Sequence, residues 1–261
     1  MDKKGQVALY IIISVIILIV AVVVMYARGE FLRSLFDLEE KIIIPPQLKA
    51  VTDFIQSCLE RTGRDSIYYV GRGGGYNVVP ETISIIWFSE SVPYYYLNNI
   101  ILTPSEVILE RELTNYIKRN VGPCLDFTDF VKEGFNISNK SYSVNTTIND
   151  NTVDIIINYP IKIEKEDISV ELKEFEVIIN SNLKNMRDAA DELVFLYSKK
   201  PGFVCLTCLE GVAYDYNVSI KTIPIQDVTI FDNDIIWYLI DDKEFNVDNE
   251  RNSTLRFVVE Q

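Results

Sequence analysis

Four cysteines are the side chains in this sequence that most directly offer chemistry. Cys205 and Cys208 are separated by two residues, whereas Cys58 and Cys124 are each isolated in the chain. An even number of cysteines beyond an apolar N-terminal segment indicates disulfides formed in an oxidising compartment. Four cysteines allow three pairings, and we favour Cys58–Cys124 with Cys205–Cys208 because the second pair is local in the sequence.

Two other uses of these thiols stay open. A site in which all four thiolates bind zinc competes with the disulfides, although the sequence has one CxxC motif where such sites usually have two. The segment Cys205-Leu206-Thr207-Cys208 could also be a redox dithiol, which would need a helix N-terminus to lower the pKa of its thiol. The residues after it, Leu209 to Val212, instead predict a turn that leads into a strand.

Histidine is absent from the chain. Its absence excludes Ser-His-Asp and Cys-His catalysis, the iron site made of two histidines and a carboxylate, and every zinc site that uses histidine. An enzyme with this composition would be a carboxylate-pair glycosidase or a cysteine-based oxidoreductase. Acidic pairs such as Glu110 and Glu112 have the spacing of helix-surface charges, so we expect no enzyme and no cofactor.

Acidic residues near the C-terminus have the oxygen ligands that calcium prefers. They are Asp232, Asp234, Asp241 and Asp242. Because the sequence has no Asp-x-Asp-x-Asp-Gly loop, we interpret them as solvated carboxylates in turns and expect no metal site.

Three consecutive tyrosines, Tyr94, Tyr95 and Tyr96, follow Pro93. Their amphipathic rings suit an interface with protein, glycan or membrane, so we predict an interaction patch there. The alternative is that alternate rings pack on the core of a strand. The nearby glycine run over 71–75 has no Gly-Lys-Ser/Thr and no preceding strand, so it predicts a helix end and a turn rather than a phosphate loop.

The charge and the sequons indicate the surroundings of the domain. A formal net charge of -13 repels phosphate backbones and anionic headgroups, so we expect no nucleic-acid ligand. Asn-X-Ser/Thr sequons are acceptors for N-glycosylation in secreted proteins. They occur at Asn136, Asn139, Asn145, Asn217 and Asn252.

The N-terminal segment indicates that the cysteines and sequons belong to a domain held at a membrane. Residues 7–26 contain no charge, proline or glycine, and a helix of that length is about 30 Å long, the hydrocarbon thickness of a bilayer. We predict a cytoplasmic head over 1–6, a single transmembrane helix over 7–26 and an amphipathic stem over 27–44. Basic residues are nearly balanced on the two sides of the helix, so the cysteines and sequons decide the orientation, with the C-terminal domain extracellular.

The first forty residues resemble a known family. Lys3-Lys4-Gly5-Gln6 followed by an apolar helix is similar to the class III signal of archaeal type IV pilins and pilin-like proteins. The resemblance implies cleavage after Gly5, a mature chain that begins at Gln6, and a long N-terminal helix. This chain has Tyr10 where many pilins have glutamate at the fifth mature position.

The remainder resembles uncharacterised archaeal surface proteins with a single anchor, which implies a location but no activity. Its periodicity predicts an α+β fold: a mainly antiparallel β ectodomain with packed helices. We expect a helical subdomain with short strands over 45–135 and a β-rich subdomain with one helix over 136–261. The predicted helices cover 47–70, 103–120 and 182–199. The predicted strands include 83–88, a hairpin over 141–159 with its turn at 149–151, 168–179 and 212–220.

These features predict a protein of the cell membrane with a structural, adhesive or protein-interaction role at the cell surface. Its partners would be the membrane, through residues 7–26, and either another protein or further copies of itself. The alternative is a pilin-like filament subunit that is cleaved after Gly5 and assembles through its N-terminal helix.

Overall fold

The computed structural model describes residues 44–87, 89–225, 235–246 and 252–260. The predicted head, transmembrane helix and processing site, Gly5 and Gln6, lie outside the described residues, as does the stem except for its last residue. Within the described ranges no helix is both long and apolar enough to cross a bilayer. Residues Pro45–Gln261 form one compact unit.

Helices and strands alternate irregularly along this unit, which confirms the predicted α+β class. The helices are α1 (Lys49–Arg72), α2 (Glu106–Cys124), α3 (Thr128–Lys132), α4 (Leu183–Lys199) and α5 (Leu206–Asp215), with a 3-10 turn at Glu81–Ile83. The strands are β1 (Ser84–Trp87), β2 (Glu90–Leu97), β3 (Ile100–Ile101), β4 (Asn136–Asn139), β5 (Ser143–Ile148), β6 (Thr152–Lys165), β7 (Ile168–Asn180), β8 (Val218–Ile225), β9 (Ile235–Asn246) and β10 (Asn252–Glu260).

The first sheet has the strand order β1-β2-β10-β9-β8, and β3 pairs with β2. Its β2–β10 pair is parallel, whereas its other described pairs are antiparallel. This sheet joins strands from both predicted subdomains, so it crosses the predicted boundary between residues 135 and 136.

The second sheet is built around β6. Strand β7 pairs along one edge of β6, and β4 and β5 share the other edge, all antiparallel. Every second residue of β6 from Val153 to Ile163 is buried, as the period of two in the sequence predicts. The register of the β6–β7 pair shifts between Asn158 and Ile161, so Pro160 lies at an irregularity of the ladder, the kind of position at which a strand tolerates a proline.

Helix α1 contacts β7 of the second sheet and β10 of the first. Two glycines permit this close approach. A Cβ atom on Gly63 would lie 2.5 Å from Ile155 Cδ1, and a Cβ on Gly71 would lie 2.7 Å from the backbone oxygen of Thr254. Both distances are below normal van der Waals contact. At Gly71 the neighbour is backbone, so the position of α1 depends on the lack of a side chain there, whereas at Gly63 the neighbour is the end of a flexible side chain.

A disulfide fixes α1 to α2. Cys58 and Cys124 are bonded, with their Cα atoms 5.8 Å apart, and the second disulfide joins Cys205 to Cys208. Both predicted pairs are therefore confirmed, and the alternative four-thiolate zinc site is not formed. The Cys58–Cys124 bond closes a loop with a sequence separation of 66, which in the chain-entropy model stabilises the fold by about 4 kcal/mol.

Helix α2 differs from its predicted bounds at both ends. It begins at Glu106 with Ser105 as the N-cap, whereas the predicted helix began at residue 103. The Ser105 hydroxyl accepts a hydrogen bond of 3.4 Å from the Ile108 N–H, and serine and threonine are both good caps. The helix ends at Cys124 rather than near Asn120.

Two predictions for the C-terminal part are wrong. The strand expected over 212–220 is a helix, α5, up to Asp215, and β8 begins only at Val218. Asp241 and Asp242 are not turn residues but lie within β9. Asp242 is only 5% exposed, and its carboxylate accepts a 3.0 Å hydrogen bond from the Asn182 backbone N–H. This carboxylate is therefore satisfied inside the protein and is not solvated. Asp232 and Asp234 lie outside the described residues.

The glycine at position 71 yields a prediction with a matched control in another helix. Gly71→Ala should destabilise the protein by about 1–3 kcal/mol, because the new methyl group meets backbone that cannot move freely. A Cβ on Gly211 in α5 has no atom within 4 Å, so Gly211→Ala should stabilise it by about 0.5–1 kcal/mol through helix propensity. Urea unfolding followed by circular dichroism measures both, and equal changes in the two variants would contradict the proposed packing of α1.

Candidate functional site

The tyrosine patch predicted from the sequence lies mostly in the core. Tyr95 is 0% and Tyr96 5% exposed, and Tyr94 is half-buried. The Tyr95 ring stacks on Phe257 with centroids 4.3 Å apart, and its hydroxyl donates a 2.9 Å hydrogen bond to the Gly74 carbonyl. Burial raises the pKa of Tyr95 well above its ordinary value. A surface patch made of three rings does not fit this arrangement, since the parallel pairing of β2 with β10 places β2 inside the sheet.

The glycine turn after α1 is also part of the packed structure. Gly74 and Gly75 have positive φ angles of 58° and 81°. A Cβ on Gly74 would meet the Pro93 ring at 2.4 Å and the Arg256 carbonyl at 2.5 Å. The turn therefore connects the helix to β2 and β10 and leaves no open loop that could cradle a phosphate.

An ionic cluster at this end of α1 was not predicted from the sequence. The Glu90 carboxylate accepts hydrogen bonds from Arg72 and, at 2.6 Å, from Arg256. Arg256 also donates through Nε to the Arg72 carbonyl at 2.9 Å. Burial alone would raise the pKa of Glu90, but the hydrogen bonds from Arg256 and Arg72 outweigh burial and lower it. Because both oxygens of Glu90 are occupied by arginines, the cluster joins α1, β2 and β10 and is not a general base.

The predicted glycosylation sites are all accessible. The side chains of Asn136, Asn139, Asn145, Asn217 and Asn252 are exposed. Three of them lie on β4 and β5, the strands that share one edge of β6. Their exposure is what glycosylation requires, and the modification itself stays a prediction.

An open recess with both apolar and charged walls lies beside α4. It encloses about 410 Å³ and is lined by Ile101, Asp188, Asp191, Glu192, Phe195 and Tyr216, which we call the α4 recess. It exists because α4 turns its apolar face, including Met186, Ala190 and Val194, toward the rest of the domain, so the opposite face carries the charges. The amphipathic pattern of α4 is visible in the sequence. The sequence does not show that β3 and the end of α5 would form the other walls of the recess.

The α4 recess is acidic, with exposed apolar side chains at its margin. Asp188 accepts a 2.7 Å hydrogen bond from Arg187. Burial raises the pKa of Tyr216, and a hydrogen bond to Glu192 and the charges of nearby carboxylates add to the rise. Phe195 is 51% and Ile101 42% exposed. Such a surface complements a partner that presents cationic and apolar groups together.

The second disulfide is a further reactive group in the part of the chain that the structure describes. Within the described residues, no group of three or more histidine, cysteine or carboxylate side chains is arranged to hold a metal ion. Cys205 and Cys208 are both half-buried and line a small cavity of about 90 Å³ together with Tyr197, Lys200 and Phe203.

The ionic cluster yields a prediction for stability against pH. Because the pKa of Glu90 is lowered in the folded protein, its carboxylate stabilises the fold at pH values above the pKa that it has in the unfolded chain, about 4.5. This stabilisation is lost as the pH falls through the lower pKa of the folded protein. Glu90→Gln should therefore destabilise the protein by about 1 kcal/mol at pH 7, and the difference from wild type should shrink below pH 4.

The control is Glu60→Gln, which removes the exposed Glu60–Arg64 pair within α1 and should change stability by less than about 0.5 kcal/mol. Thermal unfolding between pH 3 and 7 measures both variants. A Glu90→Gln difference that is the same at pH 3 and pH 7 would contradict the ionic role.

Comparison with family models, with curated proteins and with solved structures found no match to this chain, so function rests on the residues described above.

Proposed function

We propose that this chain is a single-pass membrane protein whose C-terminal domain lies outside the cell and has a structural, adhesive or protein-interaction role there. The observation that carries the proposal is a domain with two disulfides that follows an uncharged apolar run over residues 7–26. Disulfides persist in oxidising compartments, and an apolar run of this length is suited to hold such a domain at a membrane.

Two further observations support the extracellular location. All five sequon asparagines are exposed, as acceptors for a glycosyltransferase must be. The net charge of -13 would hold the domain away from anionic headgroups. The chain offers no histidine and no carboxylate pair to which we assign a reaction. The surface role that we propose is therefore non-enzymatic.

The second candidate function is that of a pilin-like filament subunit. It is favoured by Lys3-Lys4-Gly5-Gln6 directly before the apolar run, which resembles the class III signal of archaeal pilins. In this case the run over residues 7–26 would leave the bilayer and become the core of a filament. The ectodomain would then be displayed along the filament surface.

Mapping the N-terminus distinguishes the two functions. Unreduced protein is collected from membranes and from the sheared extracellular fraction, and intact mass and N-terminal peptides are measured. A chain that begins at Met1 and stays in membranes is expected for the anchored protein. A chain that begins at Gln6 in the sheared fraction would establish the filament subunit, and protein found only in the cytosol would overturn both.

The interaction role is tested at the α4 recess. We expect a photo-crosslinking phenylalanine analogue at Phe195, which is 51% exposed, to capture a partner on intact cells. The same analogue at Ile178 of β7, which is 59% exposed, is the matched control. A product of twice the mass of the protein would identify self-assembly, and a different mass would identify another protein.

Crosslinking at Phe195 that does not exceed crosslinking at Ile178 would remove the α4 recess as an interface. The proposal that the chain is anchored at the membrane would be unaffected, because the N-terminal mapping tests it separately.

A further inference from the structure

The motif Cys205-Leu206-Thr207-Cys208 lies at the N-terminus of α5, where the sequence predicted a turn into a strand. Cys205 is the N-cap residue and Leu206 is the first residue of the helix. The two cysteines are joined in a disulfide. We infer that this pair is a thiol–disulfide exchange site that oxidises dithiols of partner proteins, an activity that goes beyond the proposed surface role.

The two disulfides of this domain differ in what they do for the fold. Cys58 is 3% exposed and its bond to Cys124 joins two helices across a sequence separation of 66, whereas the Cys205–Cys208 bond spans a separation of 3. The stabilisation that a disulfide gives rises with the length of the loop that it closes. When the Cys205–Cys208 disulfide is reduced, the fold therefore keeps most of the stabilisation that its two disulfides provide.

The position of Cys205 favours its thiolate. In the oxidised protein its Sγ accepts a hydrogen bond of 3.3 Å from the Cys208 backbone N–H and lies 3.5 Å from the Thr207 hydroxyl. After reduction the same donors and the positive end of the helix dipole would stabilise negative charge on this sulfur. Lys200 lines the same cavity and adds a positive charge. These groups make Cys205 the sulfur that is attacked and later released.

The surroundings of the pair suit a protein dithiol rather than a polar small molecule. The cavity of about 90 Å³ next to the disulfide is lined largely by apolar and aromatic side chains, including Leu193, Leu196 and Tyr238. At its margin Phe203 is 51% and Leu206 69% exposed. An extended segment with an apolar residue beside its cysteine could place that residue in the cavity and its sulfur at the disulfide.

The exchange proceeds in two balanced steps. A partner thiolate attacks Cys205 Sγ, the Cys205–Cys208 bond breaks, and its electron pair goes to Cys208 Sγ, which takes up a proton. The second partner thiolate then attacks the partner sulfur of the mixed disulfide and releases Cys205 as a thiolate. The partner dithiol is oxidised to a disulfide, and the pair of this protein is reduced by the same two electrons.

The first test uses the oxidised full-length chain in detergent, titrated with glutathione buffers of increasing reducing strength. Thiols are alkylated, and peptide mass spectrometry gives the reduced fraction of each pair. We expect half of the Cys205–Cys208 pair to be reduced at a reducing strength of the buffer at least about tenfold lower than Cys58–Cys124 needs, with the thermal unfolding midpoint nearly unchanged. Equal resistance of the two pairs, or unfolding on reduction of the short pair, would overturn the inference.

Single variants identify the attacked sulfur. Cys208→Ser leaves Cys205 free, and its thiolate should attack a model peptide that carries a disulfide, forming a mixed disulfide while the other peptide sulfur leaves as a thiol. Cys205→Ser should form far less mixed disulfide at Cys208. Equal trapping would contradict the assigned role of Cys205. Circular dichroism tests whether both variants fold. If either variant does not fold, the titration of the wild-type chain still tests the inference.

Lys200 supplies a second, independent readout. Lys200→Gln should slow alkylation of reduced Cys205 by iodoacetamide at pH 7 by about two- to fivefold, the effect of one partly solvated charge on a neighbouring thiolate. Lys199→Gln is the control, since Lys199 lies over the Phe195 ring at 4.2 Å and does not line the cavity. The same rate in both variants would remove Lys200 from the site.

Discussion

The close packing of α1 against both sheets is the contact on which the rest of this domain depends. One helix of 24 residues contacts β7 of the second sheet and β10 of the first. Gly63 and Gly71 allow this, because a side chain at position 71 would meet the backbone of Thr254 in the first sheet and one at position 63 would displace the Ile155 side chain in the second. The domain thus has its core on both sides of a helix, which explains why residues far apart in the sequence form one compact unit.

Two interactions hold α1 in this position, and an aromatic stack joins the strands next to it. The Cys58–Cys124 bond ties its middle to α2, and the Glu90 carboxylate ties its C-terminal end to β10 through Arg72 and Arg256. Beside them the rings of Tyr95 and Tyr238 stack on the two faces of Phe257, with centroids 4.3 and 5.0 Å away. The ionic and aromatic contacts therefore meet at the same strand pair, β2 and β10, whereas the covalent contact joins α1 to α2.

The sequence revealed local features well and long-range ones poorly. The alternation from Val153 to Ile163 predicted β6 because burial on one face of a strand has a period of two, and the local cysteine pair predicted its own disulfide. The parallel pairing of β2 with β10 could not be predicted, since no local pattern encodes which distant strand will be the neighbour. For the same reason the tyrosines of β2 were assigned to the surface, and Asp242 to a turn.

The misassigned helix α5 has the largest consequence for function. Gly211 was interpreted as a turn, yet the cap at Cys205 and the buried Val212 hold a helix there, and its exposed glycine merely weakens the helix. In a turn, the CxxC pair would be a short structural disulfide. At a helix N-terminus, the thiolate of Cys205 is stabilised when the pair is reduced. At a membrane surface, such a pair would be available to dithiols of other surface proteins while the long disulfide keeps the fold intact. A structural role for the domain and an exchange role for its one local disulfide are therefore compatible.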